Sequence, residues 1–224
     1  MIYTVLGTPL SPFTRKVALF TAEMGLDIEA KELNPYFPPD DFDVFSPLEL
    51  IPVLRADDFT LNDSSAICAY LNAAHPALAT LVPKDPKGLG RALWLEEYAD
   101  TALFSKISSG VFRPIFINEM KGMPADLETV KTTVAEHLPP LFTYLETQIS
   151  GKEWFCGDAL SIADISIYAQ LANLRHSKCL PEESRFPYLM KNFERVAARP
   201  SATALHEAEL LYLKRARAQA GQGA

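Results

Sequence analysis

The chain has 224 residues, of which 48% are hydrophobic and 22% charged, and carries a formal net charge of −7. That length holds one large domain or two small ones and buries a core without disulfides or metals. The acidic balance repels phosphate backbones and excludes nucleic acid as an expected partner; no run approaches the ~20 apolar residues of a membrane span, so no membrane contact is expected either.

The predicted elements follow in chain order. Residues 2–6 form a short strand closed by Gly7, Thr8 and Pro9. Ser11-Pro12 opens a helix, Ser as N-cap and Pro as first helical residue. Val17, Leu19, Phe20 and Met24 supply its apolar side and Gly25 ends it. Residues 27–33 form a second strand, and residues 34–39, Asn-Pro-Tyr-Phe-Pro-Pro, an irregular loop. A short acidic helix covers Asp40 to Phe45. Residues 52–55 and 59–61 are two strands joined by an Asp57-Asp58 turn, and Ser64 to Ala74 is a helix stopped by His75-Pro76. The order β-α-β-α-β-β-α is that of an α/β thioredoxin-like domain over residues 1–76.

Residues 77–88, with Pro83, Pro86 and Gly88, read as a linker. Residues 89–224 read as an all-α helical bundle domain. Its helices are 89–120, kinked at Pro114, then 125–149, interrupted or bent by Pro139-Pro140, then 161–175, 187–199 and 201–217. In 161–175 the residues Ile162, Ile165, Tyr168, Leu171 and Leu174 recur on one face. Lys214, Arg215 and Arg217 read as a solvated last turn that complements the helix dipole. The N-terminus begins directly as a strand, without a basic leader and apolar run. Cys68, Cys156 and Cys179 are odd in number and widely spaced, with no Cys-x-x-Cys. That favours neither a disulfide framework nor a metal site, and a reducing cytoplasm is the expected location.

Three segments carry a resemblance. "SPFTRKV" (Ser11 to Val17) follows the first strand; "IPVL" (Ile51 to Leu54) leads into "LNDSSAI" (Leu61 to Ile67); "SIADI" (Ser161 to Ile165) lies in the helical half. In this order and spacing the chain, from about residue 2 to 213, resembles the cytosolic glutathione transferase superfamily, in its serine-type, bacterial-like form. The resemblance implies glutathione as co-substrate, no metal, and a two-fold homodimer.

It also implies roles. Ser11 is either a plain helix cap or the hydroxyl that donates to the glutathione thiolate, with Thr8 as the alternative hydroxyl. No cysteine precedes Cys68, so a protein thiol in this domain is disfavoured as the reacting group. No tyrosine occupies residues 7–9, and Tyr3 lies inside the strand. Ile51-Pro52 is expected to be cis, turning the Ile51 backbone toward the cysteinyl part of the peptide. Asp63 suits the γ-glutamyl ammonium and Ser64 its carboxylate, and both also fit as helix caps. Phe13 and Leu50 complete the glutathione-binding set, with Asp100 reaching the partner subunit's site. Phe37, Tyr98, Phe104, Phe112, Arg113 and Phe116 are expected to line an apolar pocket for a small hydrophobic electrophile, although aromatics at helical spacing also fit a core. Ser161 and Asp164 read as a capping box that serves stability.

The expected function is thiol transfer from glutathione to that electrophile. The alternatives are a glutathione-dependent reductase or peroxidase, and a non-catalytic binding or scaffold protein of the same fold. One segment departs from the family. Before "IPVL" the usual pattern is Asn-Pro, one residue, Gly, then Lys, Gln or Arg; here it is Ser46-Pro47-Leu48-Glu49-Leu50. Leu50 cannot hold the glycine carboxylate of glutathione, Glu49 has the wrong sign, and Asp40, Asp41 and Asp43 lie upstream. Lys31, Lys106 or Arg113 could supply a replacement cation.

Overall fold

The computed structural model describes residues 2–57 and 59–220. Asp58, half of the predicted Asp57-Asp58 turn, lies outside the described residues. The chain forms two compact units, Met1–Val82 and Pro83–Ala224.

The first unit is thioredoxin-like. It contains β1 (Tyr3–Gly7), α1 (Pro12–Met24), β2 (Glu29–Glu32), α2 (Phe42–Phe45), β3 (Val53–Ala56), β4 (Phe59–Asn62) and α3 (Ser64–Ala74). The sheet order is β2-β1-β3-β4. β1 runs parallel to β2 and antiparallel to β3, and β3 runs antiparallel to β4. The inner strands carry the buried residues Val5, Leu6, Val53 and Leu54, while every residue of edge strand β2 is exposed. Its Glu-Ala-Lys-Glu sequence is a charged edge that discourages further strand pairing.

On one side of the sheet, Leu6, Leu33, Phe42 and Val53 form a buried cluster with Phe45 and Ile51 packed against it. Elsewhere in the unit, α1 buries the predicted Val17, Leu19, Phe20 and Met24, and it buries Arg15 and Lys16 as well. Lys16 Nζ donates to Ser65 Oγ at 3.0 Å, tying α1 to α3. Gly25 ends α1 at φ 75°, with its N–H on Ala22 and that of Leu26 on Thr21, as a left-handed cap requires. Tyr3 is 3% exposed, and its hydroxyl lies 3.0 Å from His75 Nε2.

The second unit is helical. It opens earlier than the expected linker end at Gly88: Asp85 caps the Gly88 N–H at 2.8 Å and Pro86 is the first residue of α4 (Pro86–Tyr98). The stretch expected at 89–120 is continuous but not uniform. A π-helical segment, Ala99–Leu103, precedes α5 (Phe104–Ile107), and a second, Ser108–Ile117, precedes α6 (Asn118–Met120). Pro114 sits inside the second of these. A proline has no N–H to give and its ring collides with the preceding turn; the wider π winding absorbs both effects where a simple kink was expected. Gly110 is buried because Thr133 lies where its Cβ would be. Thr133 belongs to a further π segment, Thr133–His137, between α7 (Leu127–Thr132) and α8 (Leu138–Ile149). Pro139-Pro140 thus falls at the start of α8, where the winding changes: of the two expected effects, the structure shows the interruption of the α-helix.

α9 (Ile162–His176) is buried at every position from Ile162 to Leu174. The face read from its apolar repeat is only part of what it buries: Asp164, Ser166, Gln170 and Asn173 are buried too. α10 (Pro187–Ala197) and α11 (Pro200–Ala220) complete the unit. Arg217 pairs with Glu119 at 3.0 Å and lies over the Phe116 ring at 5.8 Å, so the basic end of α11 is partly engaged. No helix among the described residues is long and apolar enough to cross a membrane.

The capping box is real and larger than two residues. Asp164 Oδ2 accepts from the Ser161 N–H at 2.9 Å and the Ser161 hydroxyl at 2.7 Å. Its Oδ1 accepts from the Phe155 N–H at 3.0 Å and the Asn192 amide at 2.9 Å. Burial pushes the Asp164 carboxyl above the usual carboxylate range, with these donors pulling the other way. One carboxylate therefore joins the start of α9 to the preceding loop and to α10. Replacing it by Ala strands several buried donors, each worth about 1–3 kcal/mol. Asp164→Ala is expected to cost about 3–5 kcal/mol in chemical denaturation, against about 1 kcal/mol for Ser161→Ala.

Candidate active site at one edge of the sheet

The strand register gathers the sequence-predicted residues of the first unit. Leu6 pairs with Val53, Val53 with Asn62, and Gly7 with Glu32. The carboxyl ends of β1, β2 and β4 and the amino end of β3 therefore share one edge. The segments leaving or entering there carry Thr8 and Ser11, Phe37, Leu50 to Pro52, and Asp63-Ser64.

At the first position Ser11 caps α1. Its Oγ accepts from the Thr14 N–H at 3.3 Å, and its N–H donates to the Thr8 carbonyl at 3.1 Å. Gly7 has no Cβ because the Thr14 side chain occupies that space, which seats the helix end directly on β1. Thr8 is 8% exposed and its hydroxyl accepts from the Leu10 N–H at 3.2 Å. Ser11 and Phe13 are half-buried. Of the two candidate hydroxyls, Ser11 is the more accessible.

At the second, the Ile51-Pro52 bond is cis. The residues before it form a stapled loop. Buried Ser46 donates from Oγ to the Leu50 carbonyl at 2.8 Å and accepts from the Leu50 N–H at 3.1 Å. The Asn62 side-chain amide donates to the Phe45 carbonyl at 3.0 Å. Glu49 has φ 52°, the left-handed region that glycine enters most cheaply, and this is the position where the family pattern carries glycine. Leu50 is 62% exposed. The candidate replacement Lys31 is paired with Glu29 at 3.4 Å.

At the third, Asp63 caps α3 with one carboxylate oxygen, Oδ1, accepting from the Ala66 N–H at 2.9 Å. Its backbone sits at φ 73°, ψ 128°, a conformation that costs about 1–3 kcal/mol and concentrates at ligand clamps. Ser64 is 2% exposed and its Oγ has no hydrogen-bond partner among the described residues. A buried hydroxyl left unmatched at a helix N-terminus fits an anionic ligand group. Sequence reasoning missed Ser46, Asn62 and the Lys16–Ser65 link, which hold these positions in place. The Ser-for-Asn change before Pro47 was the only signal of the first.

The residues named in the second unit have the following surroundings. The Tyr98 ring lies tilted against Tyr144 at 4.7 Å and near Trp94 at 6.1 Å, and its hydroxyl donates to the Leu141 carbonyl at 3.4 Å. Burial pushes its phenol up to about 12. Phe112 and Phe116 lie 5.0 Å apart, and Phe116 is 3% exposed. Phe104 and Asp100 are half-buried and Arg113 is exposed.

The family described as glutathione S-transferase, N-terminal domain, matches residues 10–74, and its C-terminal domain matches residues 115–207. The chain belongs to the glutathione S-transferase superfamily and is an enzyme of the glutathione transferase type. It is 29% identical to a glutathione S-transferase of Triticum aestivum over 168 residues, 74% of this chain and 75% of that one. It is 26% identical to glutathione S-transferase theta-3 of Mus musculus, over 89% and 84% of the two chains. A glutathione S-transferase structure from Rhodospirillum rubrum F11 shares the fold, with TM-score 0.83, 24% identity and 91% coverage of each chain. In this transferase the N-terminal domain match spans all three positions of the sheet edge.

Proposed function

We propose that the protein activates the thiol of glutathione at Ser11 and transfers it to a small hydrophobic electrophile. The observation that carries this reading is the Ser11 hydroxyl: half-exposed at the N-terminus of α1, on the same sheet edge as Ile51-Pro52 and the unmatched Ser64 hydroxyl.

Capping and catalysis are compatible in one serine. A hydroxyl has two acceptor lone pairs and one proton. Ser11 Oγ spends a lone pair on the Thr14 N–H, and its proton remains to donate to sulfur. A free thiol titrates near 8.5, and each unit of depression needs about 1.36 kcal/mol. A hydrogen bond to a charged group supplies about 1.5–3 kcal/mol and the helix N-terminus about 0.3–1 kcal/mol. Together they bring the thiol to near-neutral titration. The thiol proton passes to solvent, the sulfur lone pair forms the new C–S bond, and the electrophile's leaving group departs with its electron pair. In the same reading Ser64 holds the γ-glutamyl carboxylate, Asp63 the ammonium, and the Ile51 backbone the cysteinyl peptide. Exposed Phe37 and half-buried Phe13 supply apolar surface at this edge. A closed two-fold homodimer and a cytoplasmic location, consistent with three free cysteines, complete it.

Ser11→Ala is expected to lower turnover of a model aryl electrophile at least tenfold, as roughly 1.4 kcal/mol or more of thiolate stabilisation is lost, with the circular-dichroism spectrum unchanged. Unchanged turnover at saturating glutathione transfers the role to Thr8 or the backbone.

The loop before Pro52 sets the affinity. Leu50 offers no donor to the glycine carboxylate and Glu49 repels it. One missing charge-assisted hydrogen bond, about 1.5–3 kcal/mol, weakens binding roughly ten- to a hundredfold. Calorimetry is expected to show roughly millimolar affinity for plain glutathione, relatively tighter binding of its glycine amide, and recovery of about tenfold in Leu50→Lys. Low-micromolar binding of glutathione with a weaker amide would mean that another cation has taken the carboxylate.

A further inference from the structure

Wholly inside the helical unit, three side chains converge from two helices. His176 ends α9; His206 and Glu209 lie three residues apart on α11, a spacing that puts them on one helix face. Their donor atoms all lie within 4.8 Å of one another. His176 Nε2 is 2.6 Å from Glu209 Oε2, and His206 Nδ1 is 3.6 Å from the same oxygen. The two imidazole rings are 5.2 Å apart. The side chains of His176 and Glu209 are each 2% exposed, and that of His206 is 29% exposed.

A buried carboxylate must be compensated, and here His176 Nε2 lies at hydrogen-bonding distance from Glu209 Oε2. His206 Nδ1 is buried and without a hydrogen-bond partner, although it lies 3.6 Å from the same carboxylate oxygen. A divalent cation would be bound by all three groups at once. Two imidazole nitrogens and one carboxylate oxygen form a donor set suited to zinc. Zinc–ligand bonds of about 2.0–2.2 Å place tetrahedral donors roughly 3.4 Å apart, a spacing that the 2.6 and 3.6 Å separations bracket. Arg175 is the opposing charge, with Nη2 3.9 Å from Glu209 Oε2. It is anchored aside: Nη2 donates to the Tyr168 hydroxyl at 3.3 Å, and the guanidinium lies 5.8 and 5.7 Å from the Tyr168 and Phe193 ring centres.

We propose that His176, His206 and Glu209 bind one zinc ion, with water as fourth ligand, and that the ion clamps α11 to α9. The site is independent of the thiol chemistry at Ser11.

The test uses the full chain stripped with a chelator, reloaded with zinc and desalted. One equivalent of zinc per chain, by elemental mass spectrometry, is expected, with a rise in thermal midpoint. His206→Gln leaves the His176–Glu209 pair in place and changes a partly exposed side chain. It is expected to lose zinc affinity by at least roughly a hundredfold, more than an outer-shell change costs, together with the midpoint rise. The cobalt-loaded protein should show the visible bands of a four-coordinate nitrogen and oxygen site, and Cys156→Ser/Cys179→Ser should retain them. Failure of the wild type to retain zinc, equal affinity in His206→Gln, or sulfur-to-cobalt charge transfer overturns the proposal. The cobalt spectrum decides alone if His206→Gln does not fold.

Discussion

The pairing of Leu6 with Val53 and of Val53 with Asn62 is the constraint on which the first unit's chemistry depends. Because side chains alternate faces along a strand, a shift of one residue in either pairing would turn Val53 out of the Leu6–Leu33–Phe42 cluster and expose it. The buried apolar face therefore locks the register. The register in turn decides that the α1 cap, the Ile51-Pro52 bond and the α3 cap share one edge. Two helix N-termini at that edge direct partial positive charge and unspent N–H groups toward the same region. This is an environment for a thiolate and a carboxylate, and it arises from packing before any side chain is chosen for reactivity.

What the edge recognises depends on a few residues added to that frame. Ser11 adds a proton to a helix end that already favours an anion. Ser64 adds a second hydroxyl that nothing described in the chain satisfies. Ser46 does the opposite service: both of its bonds go to Leu50, fixing the loop's path while Leu50 itself faces solvent. The loop thus keeps its shape with an apolar, exposed side chain at residue 50. Glu49 is held in a backbone region suited to glycine, so its side chain carries a conformational cost together with a charge that opposes an anionic peptide terminus. These two substitutions distinguish this edge from the family pattern and make its affinity for an unmodified glycine carboxylate a matter of this chain's own chemistry.

The architecture was legible because its signals are local and agree with one another. Ser11-Pro12, Gly25 and the Ser161/Asp164 pair are start and stop marks with a mechanism, and the structure places helix ends at each. The sequence also held the start of α4, since Asp85-Pro86 is an N-cap followed by a first helical proline, a mark that the Gly88 reading passed over. Other features left no pattern to read. Lys16 and Arg15 lie on a helix whose apolar residues suffice to define its face, so their burial comes from neighbours that are distant in sequence, Ser65 among them. Pro114 signals a disturbed helix but not its form, because π winding depends on what packs against the wide turn. The same limit applies to α9, whose polar residues are buried because the bundle surrounds them. It applies to Tyr98 as well, whose ring contact with Tyr144 is a tertiary fact that helical spacing does not encode.

The central claim is that one sheet edge binds glutathione with its sulfur at Ser11. A crystal structure of the protein soaked with glutathione tests it most directly. The account predicts the sulfur within hydrogen-bonding distance of Ser11 Oγ, the γ-glutamyl carboxylate on the Ser64 hydroxyl, and the glycine carboxylate without a side-chain donor from residues 46–50. Density for the peptide elsewhere on the chain, or a sulfur seated on Thr8 with Ser64 still unmatched, would contradict it.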